Sequence, residues 1–325
     1  MKLCTFEVRT RLGRFSRLGA VTDAGIADLN FACARLLEAQ GEPRPQRIAD
    51  ALLPADMLEY LRGEERAADW ARRSLEALHA APPDSPGPRG ERLLYSPDEV
   101  KLLAPLANPA SVRDFYAFEA HVKKGFEKRG EAMPPEWYEI PVYYKSGHHN
   151  IIGTEEDVRW PSFTSRFDYE LELAAIVGKK GRDIAARDAR GYIAGFTVMN
   201  DFSARDIQRK EMRVRLGPAK GKDWCTALGP YLVTFDEVGD PYSLDMTAKV
   251  NGETWSQGNS SSIYWKFEQM IAFLSRDDMI LPGDVIGSGT VGSGCGLELD
   301  RWVQPGDVME LTIEKIGTLR NRVTQ

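Results

Sequence analysis

Residues 170–177 of this 325-residue chain read ELELAAIV, and this stretch decides the fold. Its short apolar run predicts a buried strand that opens with Glu170 and Glu172. Residues i and i+2 of a strand point to the same face, so the two carboxylates lie side by side while Leu171 and Leu173 face a core. Two such carboxylates repel each other unless a cation lies between them. They indicate either a site for a hard divalent cation such as Mg²⁺ or Ca²⁺, or a solvated strand face.

The overall composition excludes several classes of protein. There are 42 Lys and Arg against 48 Asp and Glu, and the net charge of −6 argues against a nucleic-acid partner. No apolar run approaches the roughly 18 residues needed to cross a bilayer, so no membrane partner is expected. The first 15 residues carry no signal-peptide hydrophobic segment. The four cysteines lie far apart, which predicts reduced thiols and a cytoplasmic protein.

A proline-rich stretch indicates where the chain divides. Residues 81–90, APPDSPGPRG, contain four prolines and two glycines, which break helices and strands alike. We interpret this stretch as a linker between a small N-terminal α+β domain, residues 1–105, and a catalytic domain, residues 106–325. In the N-terminal part the patterns predict a strand at 3–8, a hairpin at 14–29 and a core-facing helix at 65–80.

The remainder of the chain is rich in predicted strands. Strands are predicted at 170–177, 192–199, 231–235, 243–250, 284–286 and 308–316, and helices at 112–129 and 263–275. Because the strands outnumber the helices and do not alternate with them, the pattern favours a β-rich α+β fold over a doubly wound parallel sheet.

A polar cluster follows the predicted strand at 192–199. Strand ends commonly carry functional groups. Asp201 is a candidate third metal ligand, and Arg205 a bidentate clamp for a carboxylate. The alternative is a capped helix start, with Asp201 or Ser203 as the N-cap.

Asp114 and His121 form a further pair. On the predicted helix 112–129 they are seven residues apart, which is two turns, and so share a face. A carboxylate and an imidazole facing one cavity are typical of a metal ligand and a general base. The alternative is a surface aspartate beside a histidine with satisfied hydrogen bonds.

A glycine-rich stretch at 287–292, GSGTVG, matches the G-x-G-x-x-G pattern. A dinucleotide site requires a helix after that pattern, whereas residues 293–299 predict a turn and a strand. We expect instead a backbone loop that lines a pocket, with Thr290 as a hydroxyl donor. Cys225 has no neighbouring histidine to activate it, so a nucleophilic role is not expected.

Taken together, these segments resemble the fumarylacetoacetate hydrolase family. The resemblance covers most of residues 110–320. Its motifs, in order, are Asp114-Phe115-Tyr116 with His121, Glu170-x-Glu172, Asn200-Asp201-x-Ser203-Ala204-Arg205-Asp206-x-Gln208, Gly221-Lys222 with Thr226, Ser288-Gly289-Thr290 and Leu297-Glu298-Leu299. The resemblance implies a mixed β-roll catalytic domain, usually homodimeric and often preceded by a small N-terminal domain.

The resemblance also implies a role for each matching residue. The ligands of a divalent metal, Mg²⁺ or else Mn²⁺ or Ca²⁺, are Asp114, Glu170, Glu172 and Asp201. His121 is the base that activates water, and Glu298 orients it. The groups that hold substrate and stabilise negative charge are Arg205, Gln208 and Lys222, and those that contact substrate are Tyr116, Tyr144 and Thr290.

The implied activity is hydrolysis of a carbon–carbon bond in a 1,3-diketo acid, such as fumarylacetoacetate or an acylpyruvate, by water attack and enolate departure. The alternative in the same family is a hydratase, decarboxylase or tautomerase of a 2-oxo acid. The presence of Asp114, His121 and Glu298 favours hydrolysis. Residues 123–140, rich in charged and aromatic side chains, are interpreted as a lid over the site.

Overall fold

The computed structural model describes residues 1–11, 13–82 and 84–325, and the described part is rich in strands. The strands are β1 (Lys2–Thr10), β2 (Gly13–Thr22), β3 (Gly25–Asp28), β4 (Leu94–Tyr95), β5 (Lys101–Leu103), β6 (Ser111–Phe115), β7 (Tyr143–Ser146), β8 (Ile151–Ile152), β9 (Val158–Arg159), β10 (Phe167–Asp168), β11 (Leu171–Val177), β12 (Gly181–Arg182), β13 (Ile193–Asn200), β14 (Ser203–Ala204), β15 (Thr226–Thr234), β16 (Asp245–Val250), β17 (Glu253–Asn259), β18 (Met279–Ile280), β19 (Asp284–Gly287), β20 (Val308–Ile313) and β21 (Gly317–Thr324).

Helices are fewer than strands among the described residues. The α-helices are α1 (Leu29–Ala39), α2 (Pro45–Leu52), α3 (Met57–Arg62), α4 (Glu64–His79), α5 (Glu119–Arg129), α6 (Arg205–Arg213), α7 (Phe235–Val238), α8 (Phe267–Leu274) and α9 (Gly296–Leu299). The 3₁₀ helices are Pro97–Glu99, Pro135–Tyr138, Ala186–Tyr192 and Ser260–Ser262. This content confirms the predicted β-rich α+β class. None of the helices in the described residues is long and apolar enough to span a bilayer.

Most of the strands form one large mixed sheet. Its order is β4-β3-β2-β1-β15-β13-β11-β19-β6-β7, with β5 beside β1 and β8 beside β15. A second sheet has the order β17-β16-β20-β21-β9. Leu173 of the large sheet shares one hydrophobic core with Met246 and Leu311 of the second. The two sheets therefore bury their apolar faces against each other, as layered β-rich folds require.

The N-terminal segment continues the large sheet. Strand β1 pairs antiparallel with β15, with Leu3 opposite Leu232. Helices α1–α4 cover one face of the sheet, and their apolar residues pack in one cluster with Ile176 of β11. The division at residue 105 stays a prediction, and the sheet crosses it. Within residues 81–90, Pro83 lies outside the described residues and the others form neither helix nor strand.

Two sequence predictions near the site are wrong. Residues 111–115 form β6 rather than the first turns of a helix, and α5 begins only at Glu119. Pairing with β19 on one side and β7 on the other decides this, because tertiary hydrogen bonds outweigh a local pattern of only a few residues. Asp114 and His121 therefore do not share a helix face. Residues Gly296–Leu299 form the one-turn helix α9 rather than a strand.

Candidate metal centre and active site

Four buried carboxylates converge in the middle of the large sheet. Asp114 lies on β6 and Glu172 on β11, Glu170 immediately precedes β11, and Asp201 immediately follows β13. One oxygen from each lies within 4.8 Å of the others. All four side chains are buried, so the alternative of a solvated strand face for the glutamate pair is wrong. The structure thus brings together the four residues that the resemblance implied as metal ligands.

The glycine-rich loop at 287–292 supports this cluster by close backbone approach. The Gly289 N–H donates to Asp114 Oδ1 at 3.1 Å. A Cβ at Gly287 would lie 2.3 Å from the same oxygen, so a glycine is needed there for the carboxylate to fit. The Thr290 hydroxyl donates to Glu172 Oε1 at 3.4 Å. The loop lines the site, as expected, and Thr290 reaches it.

Two cations offset part of the negative charge. The Lys222 ammonium donates to Glu170 Oε2 at 2.5 Å and also to Asp201. Arg205 Nη2 donates to Glu170 Oε1 at 2.8 Å. Although burial acts to raise the pKa of Glu170, Lys222 and Arg205 together hold it below its ordinary value. Glu170 is therefore ionised in this environment.

The other three carboxylates have raised pKa values. Burial, and then repulsion by Asp201, raises the pKa of Asp114 well above its ordinary value. Burial, and then repulsion by Asp114, does the same to the pKa of Glu172. Burial raises the pKa of Asp201 to about 6 despite the attraction of Lys222. The cluster therefore carries more negative charge than its two cations balance when all four groups are ionised.

Unpaired oxygen atoms show that the cluster fits a metal ion. Glu172 Oε2 and Asp201 Oδ1 are buried and have no hydrogen-bond partner among the described residues. A buried polar atom without a partner is costly and calls for an explanation. A set of carboxylate oxygens is the donor set that hard divalent cations prefer. The four carboxylates could therefore hold one divalent cation, which would supply the missing partners.

A histidine–carboxylate pair lies beside the cluster. His121 Nδ1 on α5 is 2.6 Å from Glu298 Oε1 on α9, and Ser293 N–H donates to Glu298 Oε2 at 2.9 Å. Burial opposes ionisation of Glu298, but the His121 hydrogen bond lowers its pKa. With Glu298 ionised, Nδ1 carries the proton and Nε2 is free to accept one.

Cys295 connects this pair to the carboxylates. Its backbone forms a β-bridge with Glu170, and its Sγ lies 3.6 Å from Glu298 Oε1. The Tyr116 ring meets the His121 ring edge-on, with 5.3 Å between centroids. A potential base and a potential metal site thus share one wall of the active site.

The remaining predicted site residues contact the same network. Arg205 Nη1 donates to Gln208 Oε1 at 3.1 Å, and the Tyr144 hydroxyl donates to Asp201. The alternative in which Asp201 or Ser203 caps a helix is wrong, since α6 begins after Ala204 without a side-chain cap. Eleven of the twelve predicted residues therefore join through carboxylate contacts or the Arg205–Gln208 bond. The twelfth, Tyr116, packs against the His121 ring.

Asp168 belongs to the site but was missed from the sequence. It is fully buried, and its Oδ2 accepts from Arg205 Nε at 2.7 Å. It lies two residues before Glu170, in the same alternation that places Glu170 and Glu172 together. Extending that alternation backwards by one step is the signal that finds it.

The predicted lid is anchored beside the site. Residues 123–140 comprise the rest of α5 and the 3₁₀ helix Pro135–Tyr138. The buried Trp137 donates from Nε1 to the Tyr116 carbonyl at 2.7 Å. A cavity of about 420 Å³, bordered by Lys124 and Ser293, reaches Glu298. The opening and closing of this segment stays a prediction.

Comparisons with known proteins agree with this geometry. Residues 110–324 match the family model described as fumarylacetoacetate (FAA) hydrolase C-terminal. The oxaloacetate tautomerase YisK of Bacillus subtilis is 31% identical over 99% of this chain and 100% of its own length. The human mitochondrial oxaloacetate tautomerase FAHD2A is 33% identical over 84% of this chain and 81% of its own length.

Solved structures extend the likeness to the whole fold. The fumarylacetoacetate hydrolase of Exiguobacterium antarcticum aligns with a TM-score of 0.72, at 26% identity over 99% of each chain. The maleylpyruvate hydrolase of Sphingobium sp. SYK-6, solved with manganese(II) and pyruvate, aligns with a TM-score of 0.69 over 100% of this chain and 99% of its own, and its 23% identity makes this a likeness of fold. The chain belongs to the fumarylacetoacetate hydrolase family.

Proposed function

We propose that the protein is a metal-dependent oxaloacetate tautomerase, which interconverts the keto and enol forms of this 2-oxo acid. The observation that carries the proposal is the likeness to the Bacillus subtilis tautomerase along both entire chains. The presence of Asp114, His121 and Glu298 favoured hydrolysis in the sequence. The same base can equally remove a proton from carbon, so that feature does not separate the two reactions.

The four carboxylates would hold the metal. We propose Mg²⁺ as the physiological ion, with Mn²⁺ or Ca²⁺ as alternatives, because the donors are all hard oxygens. When bound, such an ion supplies positive charge and polarises the 2-oxo group of the substrate.

The chain's own residues would supply the proton transfer. His121 removes a proton from C3 of the keto form with Nε2, while Glu298 holds Nδ1–H and stabilises the imidazolium that results. The electron pair of the broken C–H bond forms the C2=C3 double bond, and the π pair of the carbonyl moves to the C2 oxygen. That oxygen then takes a proton from the His121 imidazolium or from water to give the enol. Lys222 and Arg205 provide positive potential that favours binding of a dianionic substrate.

Proton NMR in D₂O tests this proposal directly. Enzyme with Mg²⁺ is expected to speed both enol-to-keto conversion and exchange of the C3 hydrogens of oxaloacetate for deuterium, without forming other products. His121→Ala should lose both effects. His79→Ala, an exposed histidine at the end of α4, should keep them. Conversion no faster than in Mg²⁺ buffer alone would refute the tautomerase proposal.

Hydrolysis of a 1,3-diketo acid is the second candidate. The His121–Glu298 pair is compatible with it, because a histidine held in one tautomer by a carboxylate is suited to activating water as well as to removing a proton from carbon. Fumarylacetoacetate and acylpyruvates incubated with enzyme and Mg²⁺ should then lose their diketone absorbance and give two carboxylic products. Release of carbon dioxide from oxaloacetate would indicate a decarboxylase instead.

We also propose a cytoplasmic homodimer, as the sequence and the family resemblance led us to expect. Its ligand would be a small 2-oxo acid under the tautomerase proposal, in place of the 1,3-diketo acid that the resemblance implied. Size-exclusion chromatography with light scattering would test the dimer. A mass near 36.3 kDa would indicate a monomer.

A further inference from the structure

Asp168 is a carboxylate beside the site that accepts hydrogen bonds from one arginine and three backbone N–H groups. Its Oδ2 accepts from Arg205 Nε at 2.7 Å, and the same oxygen lies 2.6 Å from Arg205 Nη2. Backbone N–H groups of Tyr169 and Gly296 donate to Oδ1 at 2.9 and 2.8 Å, and that of Leu297 donates to Oδ2 at 3.0 Å. The side chain is fully buried, so every one of these bonds forms away from water.

These bonds tie together two parts of the active site that are distant in sequence. Arg205 begins α6 and also donates to Glu170, one of the candidate metal ligands. Gly296 and Leu297 begin α9, the one-turn helix that carries Glu298. A helix this short makes few hydrogen bonds of its own, so its position depends on partners outside it.

The packing around Gly296 shows how closely α9 is held. A Cβ at Gly296 would lie 2.6 Å from Asp168 Oδ1 and 2.1 Å from the Arg301 carbonyl oxygen. The carboxylate therefore meets the backbone of α9 directly. Glu298 lies two residues further on and meets His121 at 2.6 Å, so a shift of α9 moves the hydrogen bond that holds the imidazole.

We propose that Asp168 is a positioning residue that sets Arg205 and the Glu298–His121 pair in register with each other. It need not touch the substrate. The Asp168 carboxylate holds the Arg205 guanidinium on one side and the start of α9 on the other. The distance between Arg205 and His121 is therefore kept constant. The inference deepens the proposed function, since the role of His121 as a base rests on that proposal.

The test is Asp168→Asn in the full-length chain, with Asp206→Asn as the matched control. Asparagine keeps the shape of the aspartate side chain but loses its charge. Its amide nitrogen can only donate hydrogen bonds, and it would face N–H groups that donated to a carboxylate oxygen in the wild type. Asp206 is the neighbour of Arg205 on α6, and it also accepts several bonds, including those from Ser165 N and Ile207 N at 2.9 Å. Within the described part of the chain, its side chain forms no hydrogen bond with Arg205 or with α9.

Two readouts separate positioning from folding and from the proposed function. In Asp168→Asn the low-field Nδ1–H resonance of His121, one of only four histidines, should shift or broaden. The kcat for tautomerisation should fall by roughly 10- to 100-fold, with the Kd for Mn²⁺ within about threefold of wild type, as for other residues that orient a ligand or base. Asp206→Asn should show the wild-type resonance and kcat.

Asp168→Glu provides a second variant if the asparagine variant does not fold. It keeps the charge but displaces it by one methylene, so the same resonance should shift to a smaller extent. An unchanged His121 resonance in a folded Asp168 variant overturns the proposal, whether or not oxaloacetate proves to be the substrate. A changed resonance in a protein inactive on oxaloacetate would support the positioning role and refute only the proposed substrate.

Discussion

Asp28 in the N-terminal segment and Asp201 in the candidate metal centre are both fully buried, yet their surroundings differ in one respect. Arg17 donates to Asp28 Oδ2 from Nε at 2.6 Å and to Oδ1 from Nη2 at 2.9 Å, and the Phe31 N–H donates to Oδ1 at 3.0 Å. Every oxygen of Asp28 thus has a donor. Asp201 has donors only at Oδ2, and its Oδ1 has none among the described residues.

This difference distinguishes a structural carboxylate from one reserved for a ligand. Asp28 caps α1 and pairs with one arginine, so both of its oxygen atoms have hydrogen-bond donors within the chain. Asp201 shares its site with three more carboxylates, and the chain leaves part of the charge and one oxygen uncompensated. An unsatisfied buried group costs stability, and the fold tolerates that cost where a bound cation would remove it.

The largest effect is expected from removing a charge in the metal centre. Glu172→Gln should lower activity by roughly a thousandfold or more, because a missing ligand weakens the ion that polarises the substrate. Isothermal titration with Mn²⁺ should show the lost affinity. The melting temperature of the metal-free variant should match or exceed that of metal-free wild type, since glutamine resembles the protonated side chain that burial and repulsion favour. Wild-type Mn²⁺ affinity in this variant would show that Glu172 is not a metal ligand and would contradict the distinction drawn between Asp28 and the metal centre.

Removing the base should have the next largest effect. His121→Ala is expected to lower kcat by about 10²–10³-fold, the usual contribution of a general base, while Mn²⁺ affinity stays within a few-fold of wild type. Steady-state kinetics and the same titration check both parts. His148→Ala, a histidine of the loop between β7 and β8 that contacts Ala110, serves as the control and should keep full activity.

Removing the charge of Asp28 should lower stability and leave activity unchanged. Asp28→Asn leaves Arg17 partly buried without its partner, so the free energy of unfolding should fall by about 3 kcal/mol. The kcat of the folded fraction should not change. Chemical denaturation measures the first quantity and kinetics at low temperature the second. A loss of activity without a loss of stability would show that Asp28 is not merely structural.

The smallest effect is a pH dependence of metal binding. The pKa of Asp201 is raised from its ordinary 3.8 to about 6. At a pH between these two values, the metal-free folded protein therefore holds a proton on Asp201 that the unfolded chain has already released. Its contribution to stability is present at low pH and is lost as the pH rises through 6. Mg²⁺ must displace that proton, and its apparent affinity should rise by roughly tenfold between pH 5 and pH 7.

Thermal melts with Mg²⁺ or with a chelator measure this dependence. The gain in melting temperature on adding Mg²⁺ should be small at pH 5 and larger at pH 7. An equal gain at both values would show that the cluster binds the ion without releasing a proton.

Much of the site was predictable because its motifs are local. The alternation at Glu170 and Glu172 and the polar cluster after β13 required only the period of a strand. His121 lies beside the carboxylate cluster, but the helix from which it was paired with Asp114 begins only at Glu119. Asp114 lies on β6, where pairing with β19 replaces the local helical pattern. A five-residue segment carries too little local preference to decide between helix and strand by itself.

The sequence alone determined the family, the β-rich class and most of the candidate site residues, because alternation and motif order are properties of the chain. Only the tertiary structure decided which carboxylates are satisfied and which are not. That depends on contacts between residues far apart, such as Asp168 with the amides of α9 and Lys222 with Glu170. Burial removes water as a partner, so the distances between groups that the fold brings together determine which oxygen atoms remain for a metal ion.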